Sequence, residues 1–213
     1  MSELYPVPRN ENDRLRTLRA YKILDTTPEE RFDELTQLAA LICGVPISLI
    51  TLVDADRQWF KSRVGLELAE TPRAHAFCTH AIMQPEMFEV PDAALDERFA
   101  EHVLVKGDPH IRFYAGAPLA TADGHLLGTM CVLDREPRHL TNEQKTALAI
   151  LGRQVVANMD LRSNLRELKE ALAAREKAEG PSGDAAAGLD EVIDSLETAL
   201  AGLRAVRQGK PRQ

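Results

Sequence analysis

Cys78, Thr79 and His80 stand together in the run ETPRAHAFCTHAI, and a thiol so close to an imidazole is a starting point for redox chemistry. Cysteine reacts as the thiolate, and a neighbouring histidine or helix N-terminus lowers its pKa toward neutrality. On a helix, however, two residues of separation turn Cys78 and His80 about 200° apart. Cys131, inside LLGTMCVLD, is the second candidate redox thiol, while Cys43 ends a helical run beside Gly44. Each of the three can equally be a small hydrophobe buried in a core.

Binding chemistry is suggested by a second group. Trp59-Phe60 and Phe113-Tyr114 lie on β-type runs, with Arg112 beside the second pair. Alternation along a strand puts Arg112 and Tyr114 on one face and Phe113 on the other. Aromatic rings with one guanidinium can hold a small anionic or aromatic metabolite; the same residues also suit a sheet core with a snorkelling Arg. His110, after Asp108-Pro109, is a loop histidine that can reach into such a site. Asp92, Asp96, Glu97, Asp123 and Asp134 match no calcium-loop spacing and read as turn residues, so no metal is expected.

These residues must be positioned by the elements around them. Thr27-Pro28-Glu29-Glu30 has the form of a capping box with Pro at the first helical position, and Gly44 ends the helix it would open. Leu15, Leu18 and Tyr21 predict a shorter amphipathic helix over 12–22. ISLITLVD and RQWFKSRVG around Asp54-Ala55-Asp56 predict a hairpin; RFYAGAPLAT and LLGTMCVLD around Asp123-Gly124 predict another. Between them fall a short helix over 77–83, a strand at MFEVPD and an irregular stretch over 93–111. This is an antiparallel α+β pattern rather than a βαβ series. A second capping box at Thr141-Asn142-Glu143-Gln144 opens a helix reaching Gly180, and Leu161, Leu165, Leu168 and Leu172 give it the seam of a coiled coil. After a flexible break, Leu189, Ile193, Leu196, Leu200 and Leu203 repeat the pattern.

Charge divides along the same line. Residues 1–160 carry 17 Lys/Arg against 24 Asp/Glu and all ten aromatics of the 213-residue chain, whereas 161–213 are neutral and free of aromatics. An acidic globule without a basic patch is not expected to bind nucleic acid. No apolar run approaches the roughly 18 residues of a membrane span, and the N-terminus carries no signal-peptide core. With three scattered cysteines, a cytoplasmic chain with reduced thiols is expected.

ILDTTPEERFDELTQLAA, VPISLITLVDADRQWFKSRVG, ETPRAHAFCTHAI, VPDAALDERFAE, IRFYAGAPL and LGTMCVLDREPRHLTNEQ occur in this order between about Leu15 and Leu161. Together they resemble the GAF domain, in particular the bacterial sensor modules that precede histidine kinases and diguanylate cyclases. The resemblance implies a central antiparallel sheet flanked by helices, a ligand pocket roofed by the short helix and the long loop, and terminal helices that pair two copies. With the helical patterns above, the expected division is 1–26 helix and linker, 27–160 sensor domain, 161–179 coiled-coil continuation, 180–188 linker and 189–208 amphipathic helix. Family ligands include cyclic nucleotides, bilins, haem and small metabolites, so the fold leaves the ligand or cofactor unnamed.

In bilin-binding relatives a cysteine on the short helix is followed directly by His, whereas here Thr79 intervenes. Cys78 and Cys131 facing one cavity would be similar to free methionine sulfoxide reductase, whose cysteine spacing this chain does not reproduce. Candidate ligand-binding residues are therefore Trp59, Cys78, His80, His110, Arg112 and Tyr114. The expected protein is a non-enzymatic sensor, homodimeric through its terminal helices, that signals to a partner protein in trans. A redox sensor or thiol enzyme, and a structural adaptor with a closed pocket, are the alternatives.

Overall fold

Phe32, Thr36, Ala39 and Cys43 recur at spacings of four, three and four, and they form the buried stripe of the helix that carries them. In the computed structural model, which describes residues 5–179, the chain order is α1 (Glu11–Ala20), α2 (Glu30–Cys43), β1 (Ile47–Val53), β2 (Arg57–Val64), β3 (Glu70–Pro72), α3 (Phe77–Ala81), β4 (Phe88–Val90), α4 (Val103–Lys106), β5 (Phe113–Ala120), β6 (Leu126–Asp134) and α5 (Asn142–Glu179). The predicted linker over 180–188 and helix over 189–208 lie outside the described residues.

α2 ends at Gly44, whose φ of 62° supplies the left-handed residue that closes the last turn. Its start differs from the capping-box expectation: Glu29 precedes the helix in an extended conformation, with no side-chain cap. The reason is Lys61. Its ammonium, with a side chain 0% exposed, donates to Thr26 Oγ1 at 3.0 Å, Thr27 O at 2.8 Å and Glu29 Oε1 at 2.8 Å. Residues 26–29 are drawn out to serve it and cannot also wind into a first turn. At Thr141 the capping box does form: Gln144 N donates to Thr141 Oγ1 at 3.3 Å and Thr141 N to Gln144 Oε1 at 3.0 Å.

Six antiparallel strands form one sheet in the order β3-β2-β1-β6-β5-β4. A bulge interrupts the β1–β2 register: Ile50 faces Ser62 and Thr51 faces Phe60, leaving Lys61 as the extra residue. Lys61 and Ser62 consequently both point to the α2 side, Lys61 to the segment before the helix and Ser62 to the helix itself, where its hydroxyl donates to Asp33 Oδ1 at 2.6 Å. Ile50, Leu52, Trp59, Phe113, Ala115, Ala117, Met130 and Val132 pack on one sheet face with Phe32 and Ala39 of α2 and Leu148, Leu151, Val155 and Met159 of α5. Ile47, Leu49, Phe60, Tyr114, Cys131 and Leu133 pack on the opposite face with α3 and the segment carrying α4. Two elements escape the sequence pattern, β3 and α4, because three and four residues are too few to show a period.

One compact unit extends to Ser163, and a second begins at Asn164. In the second, Leu165 and Leu168 are exposed, and Arg166 pairs with Glu170 one helical turn on, at 3.1 Å.

Candidate functional site

α3 is only five residues long, and Phe77, Cys78, Thr79 and Ala81 are all buried. Phe77 anchors it to the sheet by stacking on Tyr114, with ring centroids 5.2 Å apart, and to the covering segment by stacking on Phe99 at 4.4 Å. That anchoring brings Cys78 against β5 and β6. Tyr114 Oη donates to Cys78 Sγ at 3.2 Å, Thr129 Oγ1 donates to it at 3.1 Å, and Cys131 Sγ lies 3.9 Å away. Thr51 Oγ1, 3.1 Å from Thr129 Oγ1, backs the group. Gly116 makes room for this arrangement: a Cβ there would stand 2.2 Å from the Tyr114 hydroxyl oxygen, so the ring can lie along its own strand only over a glycine.

Burial pushes the Cys78 thiol up, yet donors from Cys131, Thr129, Thr51 and Tyr114 outweigh it and hold Cys78 at about 7. Burial raises the Cys131 thiol well above its ordinary value, and Cys78 beside it adds to the rise. Sequence reasoning looked for a histidine as the activating neighbour; hydroxyls take that role. His80 points elsewhere, edge-on to Phe99 at 4.9 Å and stacked near Phe88 at 6.3 Å. Burial, with the Arg98 charge nearby, holds its imidazole below the usual value.

Beside the two sulfurs is a cavity of about 30 Å³, room for about two waters at roughly 10–15 Å³ each. Of its lining residues Cys78, Cys131, Tyr114, Phe60 and Ile111 are buried, Leu66 and Leu104 half-buried, and Leu68 and His75 exposed. Two polar side chains face this apolar space: Gln58 and Thr71, both buried, on adjacent strands β2 and β3. Neither Gln58 Oε1 nor Thr71 Oγ1 has a hydrogen-bond partner. A buried acceptor without a donor is costly, by about 1–3 kcal/mol, so the pair marks where a donor belongs.

Of the residues singled out from sequence, Cys78, Cys131 and Tyr114 meet at this cavity. Trp59 lies on the opposite face, in the core beneath α2 and α5; strand alternation instead delivers its neighbour Gln58. Arg112 precedes β5 and folds outward, its guanidinium gripping Asp92 through Nε at 2.7 Å and Nη2 at 2.6 Å, so it does not share the cavity with Tyr114. The side chain of His110 is exposed, on a backbone with φ of 58°, while Pro109 before it lines the cavity. Gln58, Thr71 and His75 were missed, although HAFC places His75 three residues before Cys78. His102 was missed as well: its Nδ1 accepts from Leu104 N at 3.2 Å and caps α4, leaving Nε2 buried without a partner. Burial, with His75 and His80 nearby, brings its imidazole down to about 4, so it is neutral near pH 7. Among the described residues no group of three or more His, Cys, Asp or Glu can hold a metal ion.

The sheet order, the short helix over the cavity and the flanking helices agree with a match to the GAF domain family profile over residues 27–159. The chain belongs to the GAF family of sensor domains. This GAF domain is 44% identical over 143 residues to a cyclic di-GMP phosphodiesterase of Pseudomonas aeruginosa; the match covers 67% of this chain and 24% of the phosphodiesterase. The chain thus spans about a quarter of that relative. Its fold is similar to the GAF domain of an Acinetobacter phosphoenolpyruvate-protein phosphotransferase, with TM-score 0.51, 18% identity and coverage of 72% of this chain and 95% of the other. It is also similar to a free methionine-R-sulfoxide reductase of Neisseria meningitidis, with TM-score 0.50, 17% identity and coverage of 73% and 90%. At such identities the likeness is one of fold. Among the described residues no helix is long and apolar enough to cross a membrane.

Proposed function

We propose that this GAF domain is the input module of a regulatory system in the cytoplasm, and that its signal is a small, largely apolar molecule carrying one hydrogen-bond-donating end. The observation that carries the reading is the pair Gln58 Oε1 and Thr71 Oγ1, buried and unpartnered at the edge of an apolar cavity. The donating end would meet these two acceptors, and the apolar remainder would lie against Phe60, Leu66 and Leu104. At 30 Å³ the cavity admits such a molecule only if the segment carrying α4 yields. Binding would therefore be read out as a change in how that segment and α3 pack.

The 44% identity to part of a phosphodiesterase supports a place in regulatory signalling. We further propose that the chain acts without catalysis of its own, pairs with a second copy through α5, and passes its signal to a partner protein. Leu161, Leu165 and Leu168, at spacings of four and three, are 50%, 44% and 56% exposed, a stripe that fits knobs-into-holes pairing.

Native mass spectrometry of the full-length chain purified from its own host tests the ligand: a retained small molecule is expected, and lost in both Gln58→Leu and Thr71→Val. A chain that carries no adduct, and whose melting temperature is raised by none of a panel of small amides and alcohols, refutes the reading. Sedimentation showing only monomer at micromolar concentration refutes the pairing.

A further inference from the structure

Two sulfurs in contact within a closed polar group need a reason that ligand binding does not supply. Cys78 and Cys131 come from elements 53 residues apart in the chain, and their sulfurs are 3.9 Å apart. Neither sits at the surface: they are 2% and 0% exposed. Both nevertheless line the same small cavity, whose volume suits a molecule of about the size of water.

The environments of the two differ in a way that assigns roles. Cys78 receives hydroxyl donors from Tyr114 and Thr129, the setting that stabilises sulfur as an anion. Cys131 has no hydroxyl donor aimed at it and keeps its proton, within reach of both Cys78 Sγ at 3.9 Å and Leu49 O at 3.7 Å. Cys43, the remaining cysteine, packs on the opposite sheet face, away from both.

We propose that Cys78 and Cys131 form a dithiol that hydrogen peroxide converts to an intramolecular disulfide, with Cys78 attacking and Cys131 resolving. The Cys78 thiolate attacks one peroxide oxygen; the O–O bond breaks, the sulfur becomes a sulfenic acid, and the departing hydroxide takes a proton to leave as water. Cys131 sulfur then attacks the sulfenic sulfur, its thiol proton leaves with the hydroxyl as a second water, and the S–S bond closes. Two thiols have lost two electrons, one peroxide has gained them, and a low-molecular-weight dithiol reverses the reaction. The bond would tie α3 to β6 and draw both walls of the cavity together. This proposal does not depend on the existence of a ligand.

The test treats the reduced full-length chain with hydrogen peroxide, alkylates remaining thiols, and digests it without reductant. Two of the three thiols should disappear, the intact mass should fall by two hydrogen atoms, and a peptide containing Cys78 should be joined to one containing Cys131. Dithiothreitol should restore both. In Cys131→Ala, dimedone should label Cys78 after peroxide; in Cys78→Ala, Cys131 should stay reduced. The wild-type cross-link needs no variant, so a misfolded substitution does not decide the matter. Retention of all three thiols in folded wild-type protein after peroxide overturns the proposal. So does a disulfide formed by Cys43 or between chains in place of the Cys78–Cys131 link.

Discussion

The same six strands present two very different faces. Beneath α2 and α5 the sheet buries aliphatic and aromatic side chains, and its polar intruders are matched: Lys61 by Glu29, Ser62 by Asp33. Beneath α3 and α4 it buries two thiols, a tyrosine hydroxyl, and a carboxamide oxygen and a threonine hydroxyl without hydrogen-bond partners. The covering elements differ in kind as well. The 14-residue α2 and the part of α5 from Leu148 to Met159 cover one face, and helices of five and four residues the other. Short elements open locally at a small fraction of the global unfolding free energy, so the face proposed to admit a ligand is the one whose cover opens at least cost.

Five substitutions would break or sharpen that contrast, in decreasing order of effect. Phe32→Ala should remove about 3–5 kcal/mol of stability by leaving a cavity under α2, read by urea denaturation. Glu29→Ala should cost about 3 kcal/mol, because it strands the Lys61 ammonium in the interior. Burial raises the Glu29 carboxyl, but Lys61, Arg162 and Arg31 hold it below the usual carboxylate range. The stability this contributes is complete above the unfolded-state carboxylate pKa and is lost as pH falls through the depressed folded value. Glu29→Ala should therefore lose part of the acid sensitivity of the wild type. Burial also keeps Lys61 below its ordinary value despite Glu29, so the intact pair contributes far less than breaking it costs.

On the other face the signs change. Gln58→Leu should stabilise the ligand-free chain by about 1 kcal/mol, since it removes an acceptor that lacks a donor. A loss of stability there would mean that the two faces obey the same rule. Tyr114→Phe should cost about 1 kcal/mol and raise the Cys78 thiol from about 7 toward its ordinary value, visible as a higher midpoint in the pH profile of alkylation. Arg112→Ala should have the smallest effect, leaving the urea midpoint nearly unchanged, because the guanidinium that holds Asp92 is itself exposed to water.

The stable face was the more legible in sequence, since long helices and hairpins announce themselves by period: α2, α5 and the β1–β2 and β5–β6 hairpins all stand where their patterns put them, to within a few residues. The site was legible only as residue types. Trp59 drew attention for its ring, but an unseen bulge and the alternation of β2 decide that Gln58 faces the cavity. Arg112 was assigned to the face of Tyr114 by counting, yet β5 begins one residue later and Asp92 is within reach. Gln58 and Thr71 carry no sequence signal; their importance is that they have no partner, which only three-dimensional structure reveals. The placing of the Tyr114 hydroxyl against Cys78 likewise depends on Gly116, which no spacing rule connects with either residue.

Both margins of the sheet, finally, are three-residue strands, β3 and β4. β3 ends in Pro72, which has no amide hydrogen to offer, and Pro91 follows β4 directly. Neither margin gives another chain a ladder long enough to extend, so edge-to-edge aggregation is blocked at both ends. The pairing proposed for α5 would accordingly rest on side chains of helices, where a change of packing can be felt, and not on a continuous backbone ladder that would freeze it.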